Sequence, residues 1–142
     1  MDTRRAAFAR EIGQAREHLA AGRFDPAFRH LERAHILGQL RFVDHVVVHL
    51  WMLRVAAARA DRREVRGQVL RLAATVPGHL FGWVPIGNTG GADVSALKPM
   101  PVPADLAPHF AGFSLRRQVL RQGAILGAAA LGVVALLFSR GA

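Results

Sequence analysis

Between Asp2 and Val76 apolar residues recur at the three- and four-residue spacing of amphipathic helices, and the pattern stops at Pro77. A chain patterned this way has to pack helix on helix, so the expected fold class is all-α. The first helix is expected from about Thr3 to Ala21, with Phe8, Ile12, Ala15 and Leu19 as its buried stripe and Gly22 as the residue that stops it. Asp25 reads as the N-cap of a second helix, with Pro26 in its first position, running to Leu37 and closing at Gly38. A third helix, about Phe42 to Ala60, is apolar nearly all round, which implies burial between neighbours. The fourth begins after Asp61 and is expected to end near Val76, before Pro77.

Within this region GRFDPAFRHLERAHIL (Gly22 to Leu37) resembles a tetratricopeptide repeat, with Gly22, Phe24, Ala27, Leu31 and Ala34 at that motif's packing positions. A weaker copy aligns Ala60 with Gly22 but has Val65 and Leu72 where the first has Ala27 and Ala34. The resemblance implies a four-helix double hairpin over residues 1–76. From Pro77 to Pro108 glycine and proline replace the periodic pattern, yet Leu80, Phe81, Trp83, Val84, Ile86 and Val94 are too apolar for a disordered linker. Residues 77–112 are therefore expected to form an ordered strap over the hairpins. Its GNTGG (Gly87 to Gly91) lacks the GK[ST] of a phosphate loop and reads as tight turns under Trp83, with Asn88 suited to a left-handed position.

Chemistry is narrowly bounded. The chain has no cysteine and no tyrosine, which excludes thiol catalysis, disulfides and Cys-ligated metals. Serine and threonine are scarce, so covalent catalysis is disfavoured and no catalytic residue is assigned. What remains is histidine. Four of the seven, His30, His35, His45 and His49, cluster in sequence. Glu32 and His35 share a helix face as ExxH, an element of di-metal bundles, though its second copy is absent. His45 and His49 are spaced i,i+4, which lets two imidazoles share an ion. A short connection around Gly38 to Arg41 sets the two helices antiparallel, so Glu32, His35, His45 and His49 form a candidate site for Zn, Ni, Co or Fe. The alternative is histidines that only pack at a helix interface, bonded to a backbone carbonyl or to Asp44 or Glu32. His18, His79 and His109 read as incidental, and His30 as a packing residue of the repeat.

HLERAHILGQ (His30 to Gln39), the HxxxH of His45 and His49, and VPIGNTGGADVSALKPMPVP (Val84 to Pro103) together resemble the bacterial family known as Domain of Unknown Function 3703. The resemblance extends over about residues 6–106. It implies no established activity, and an association of some members with metal-efflux genes.

The C-terminal segment, residues 113–142, carries a run of 16 residues without a polar side chain, Gly123 to Phe138. That is near the lower limit for a membrane-spanning helix, so a C-terminal transmembrane helix is expected. Arg116, Arg117 and Arg121 precede it and Arg140 follows, which places the N-terminal domain on the cytoplasmic side of a bacterial inner membrane. Small residues at Gly123, Gly127, Ala128 and Gly132 would let the span pair with itself or with another membrane protein. These four arginines also take nearly half of the net charge of +9, leaving +5 on the rest, where arginines alternate with acids. No basic stripe is interleaved with aromatics, so nucleic acid is not an expected partner. The functional expectation is a non-enzymatic, membrane-anchored adaptor; the alternative is a transition-metal-binding accessory protein linked to metal efflux or resistance.

Overall fold

The computed structural model describes residues 3–114, together with Leu120 and Ala124. Four helices follow one another: α1 (Thr3–Ala20), α2 (Phe24–Gly38), α3 (Phe42–Ala58) and α4 (Arg62–Phe81). A 3₁₀ turn, Ala107–Phe110, ends an irregular segment, and there is no strand among the described residues. Consecutive helices pack as neighbours, α1 on α2, α2 on α3 and α3 on α4. The core is built from the small and large residues of α2, where Ala27, Leu31 and Ala34 are wholly buried, together with Val48, Met52 and Val55 of α3. Phe8 and Ala15 of α1 close one side, with Ile12 and Leu19 packed at its margin.

Local chemistry explains most boundaries. Gly22 takes a left-handed φ of 69° after α1, and the Arg23 amide donates back to the His18 carbonyl, the bonding of a glycine-terminated helix. Asp61 caps α4, its side chain accepting from the Glu64 amide at 2.9 Å. Asp25, by contrast, is not a cap. Helix α2 starts two residues earlier than expected, at Phe24, and Asp25 sits inside the first turn, where a carboxylate meets the positive end of the helix dipole. Helix α4 does not end before Pro77. It runs through the proline to Phe81 and stops at Gly82, which has φ 73°. Proline removes one backbone donor, but packing of α4 on α3 outweighs the lost bond. Nor is α3 covered all round: Val43 and Leu50 are more than half exposed, on sides that the packing of α2 and α4 leaves open.

The segment after α4 is ordered by internal hydrogen bonds rather than by an apolar underside. Asn88 is buried, and its side-chain amide donates to the carbonyls of Ser95 and Lys98, both at 2.8 Å. Its Oδ1 accepts from the Gly90 amide at 2.9 Å. Asn88 is not left-handed; Gly87 and Gly90 on either side are, with φ of 78° and 82°. Trp83 is largely exposed, so the turns do not pack beneath it. Val84 and Leu106 are the strap's buried anchors.

The expected C-terminal transmembrane helix, and with it the inner-membrane anchor and cytoplasmic N-terminal domain, is not borne out. Among the described residues no helix is long and apolar enough to cross a membrane. Length and apolarity do not coincide: α1 and α4 have 18 and 20 residues but are rich in arginine, and apolar α3 has 17 and is broken by Asp44, His45 and His49. The run Gly123 to Phe138, including Gly123, Gly127, Ala128 and Gly132, lies outside the described residues apart from Ala124.

The left-handed turn at Gly87 is the strap's most demanding backbone position, because a Cβ there would overlap the Met100 carbonyl oxygen. Gly87→Ala is expected to cost about 1–3 kcal/mol or more in urea unfolding, against a small change for Gly13→Ala, where a Cβ meets nothing within 4 Å.

Candidate metal centre

Three buried imidazoles meet where α2, α3, α4 and the strap come together. His35 lies in the last turn of α2; His45 and His49 occupy successive turns of α3. Their relative exposures are 3%, 7% and 2%. The ring centroids lie 4.7–4.8 Å apart. The Nε2 atom of His45 is 2.9 Å from that of His35 and 3.1 Å from that of His49. One ligand atom from each of the three can be chosen so that all lie within 4.8 Å of one another.

The outer nitrogens fix the tautomers. Gln68 of α4 has its amide nitrogen 2.6 Å from the Glu64 carboxylate and 2.9 Å from the Gly90 carbonyl, both acceptors, so its oxygen must be the atom facing His49. His49 Nδ1–H therefore donates to Gln68 Oε1 at 2.6 Å. His35 Nδ1–H likewise donates to the Asn88 carbonyl at 2.7 Å. With protons on both Nδ1 atoms, the Nε2 atoms of neutral His35 and His49 present lone pairs, and both face His45 Nε2. His45 has one proton to give. Placed on Nε2 it serves two acceptors at once; placed on Nδ1 it is a buried donor without a partner. Hydrogen bonding alone leaves this cluster unsatisfied; a cation among the three nitrogens takes up their Nε2 lone pairs and puts the His45 proton on Nδ1.

Electrostatics keep the rings neutral. Burial pushes the His35 pKa down to about 3, with the neighbouring His49 adding to it. Burial also lowers His49 to about 4 against the raising effect of its bond to Gln68. His45 is driven down by burial and by the two rings beside it. Neutral imidazole is the metal-binding form. A tetrahedral ion with bonds of about 2.0–2.1 Å sets its nitrogens about 3.3–3.4 Å apart, so the pairs at 2.9 and 3.1 Å have to open and the widest separation, up to 4.8 Å, has to close to admit one.

Glu32 is not part of this group. It lines a different cleft at the margin of α2, beside Glu64, Asp93 and Arg59, and burial together with Asp93 and Glu64 raises its carboxyl to about 7. Rotation of α2 about its axis decides this: the core residues Leu31 and Ala34 turn His35 inward and leave Glu32 half-buried at the margin. His30 is also elsewhere, bonded to Glu11 at 2.7 Å and stacked on His18. His79, taken as incidental from sequence, packs its ring 5.1 Å from that of His45 and donates from Nδ1 to the Thr75 carbonyl. Gln68, Asn88 and Gly90 were not among the expected site residues. Gly90 has a signal in hindsight, since a Cβ on it would come within 2.6–2.8 Å of the His35 ring and only glycine lets the strap backbone approach so closely. For Gln68 no local pattern marks its role.

A family model described as "Protein of unknown function (DUF3703)" matches residues 2–110. No curated protein and no solved structure matches the chain.

Because the folded histidines titrate far below their unfolded value of 6.5, the unfolded chain binds more protons beneath that pH. Stability of the metal-free protein is expected to fall as pH drops from about 6.5 towards 4, by up to about 1.4 kcal/mol per pH unit for each histidine. Urea melts across that range check it. His45→Leu is expected to flatten the slope and to leave stability at pH 7 unchanged or raised, since it removes a buried nitrogen without a partner.

Proposed function

The chain belongs to the DUF3703 family, whose description carries no activity, and on its own geometry we propose that it is a transition-metal-binding protein with His35, His45 and His49 as ligands. One observation carries this reading: the Nε2 atoms of His35 and His49 both lie within 3.1 Å of His45 Nε2, while the far nitrogens of His35 and His49 are held from behind by oxygen acceptors. Metal-ligating histidines are usually held in this way, with the far N–H bonded to a carbonyl or carboxylate, which fixes the ring and raises its basicity. Three imidazole ligands suit Zn, Co or Ni. Without Glu32 the set moves away from the two-His, one-carboxylate arrangement of non-haem iron. Of the adaptor and metal expectations, the second is the one these contacts favour.

The full chain, stripped of metal and titrated with Zn(II), Co(II) or Ni(II), is expected to bind one ion per chain by calorimetry and elemental analysis. The fold is then stabilised by about 4 kcal/mol at a free ion concentration a thousand times Kd. His45→Leu and His49→Leu abolish binding, and Glu32→Gln leaves it intact. A chain that stays metal-free, with unchanged melting on addition of all three ions, would refute the proposal.

Gln68→Leu provides a separate check on the outer bonds. It is expected to keep one ion per chain but weaken binding about 10–100-fold, read from competition with a chromogenic chelator.

A further inference from the structure

The three histidines open on one side to a cavity of about 280 Å³, whose walls include Ala74, Trp83, Val84, Pro85, Leu97 and Arg71. Among the described residues no aspartate or glutamate lines it. That inventory has an electrostatic consequence. A divalent ion on three neutral imidazoles keeps its full charge of about +2, and Arg71 adds another positive charge on the same wall. Arg71 is half-buried and, among the described residues, forms no ion pair with a carboxylate. Its Nη2 donates to the Gly91 and Val94 carbonyls, at 2.7 and 2.5 Å, which positions the guanidinium, and among the described residues no acceptor bonds its other N–H groups. Glu64 and Asp93 act on Arg71 from outside the cavity, so no carboxylate of the described residues lies on the wall that the ion and Arg71 share.

We infer that the fourth coordination position takes a small monocarboxylate from solution, its oxygens shared between the metal ion and Arg71 and its apolar body lying against Trp83, Val84, Pro85 and Leu97. This rests on the metal reading above. Hydroxide would answer the charge but leave the apolar walls without a partner. A multiply charged anion such as phosphate would have to shed its hydration against walls that are mostly apolar. A carboxylate with a hydrocarbon body matches both halves of the cavity, and the guanidinium fork matches carboxylate geometry.

The test uses the full-length chain loaded with Co(II), whose visible d–d spectrum reports the ligands on the ion. Titration with acetate, propionate, benzoate and inorganic phosphate is expected to change that spectrum saturably for the carboxylates. Benzoate should bind at least about tenfold more tightly than acetate, and phosphate more weakly than benzoate. Arg71→Gln is expected to take up one Co(II) and lose about tenfold or more in benzoate affinity. Arg71 also ties down the strap, so Ala74→Leu, at an exposed position on the cavity wall, serves as a second variant; it should keep the Co(II) and acetate responses while weakening benzoate. A Co(II) spectrum that no carboxylate alters, or one on which acetate and benzoate act alike in both wild type and Ala74→Leu, overturns the inference and leaves the metal reading standing. If no Co(II) spectrum forms at all, the metal reading has failed and the carboxylate site falls with it.

Discussion

The Gln68 side chain joins three parts of the molecule that the chain order keeps apart. Its oxygen holds His49 of α3, and its nitrogen holds Glu64 of its own helix and the Gly90 carbonyl of the strap. Glu64 extends the network, its carboxylate accepting from the Ala92 amide at 3.0 and 3.1 Å. A fully buried amide is costly unless each of its groups is bonded, and here the oxygen and the nitrogen both are. The strap therefore docks by satisfying polar groups of α4 more than by burying its own apolar residues, which explains why Trp83 and Leu97 stay outside while Asn88 is inside.

The same network places an energetic burden on the fold. Three histidines are taken out of water and kept neutral, and the ring between the other two has a nitrogen without a partner. An unsatisfied buried polar group costs about 1–3 kcal/mol. An apolar residue at position 45 would avoid that cost, since the surrounding core is built from small and branched residues that pack without polar help. On the metal-binding reading proposed above, an ion that takes up the three Nε2 lone pairs offsets part of that burden.

Much of the fold was legible from short-range pattern. The Gly22 stop, the start of α4 after Asp61 and the α2 positions Ala27, Leu31 and Ala34 depend on neighbours within a turn or two, and they stand where the local pattern puts them. The pairing of His45 with His49 was legible for the same reason, because i,i+4 fixes two side chains on one face whatever surrounds them. Other readings failed where a local rule met a tertiary contact. Proline is expected to break a helix, yet packing on α3 carries α4 through Pro77. Asparagine is favoured in left-handed turns, yet Asn88 leaves those conformations to Gly87 and Gly90 and uses its amide to close the loop.

Sequence by itself determined that four helices form, where their short connections fall, that thiol chemistry is absent, and that histidine is the chain's main reactive resource. Tertiary structure decided which residues meet. Helical spacing places Glu32 and His35 near one another on α2, but the rotation of that helix against α3 sends the imidazole inward and the carboxylate towards Asp93. The positions of Gln68 and Asn88 behind the rings were likewise beyond local pattern, since one comes from a helix that follows α3 and the other from a segment with no periodicity. The physical reason is range. Backbone geometry fixes relations within a helix, whereas the angle between helices and the landing place of a long irregular segment are set by the whole core and its buried hydrogen bonds.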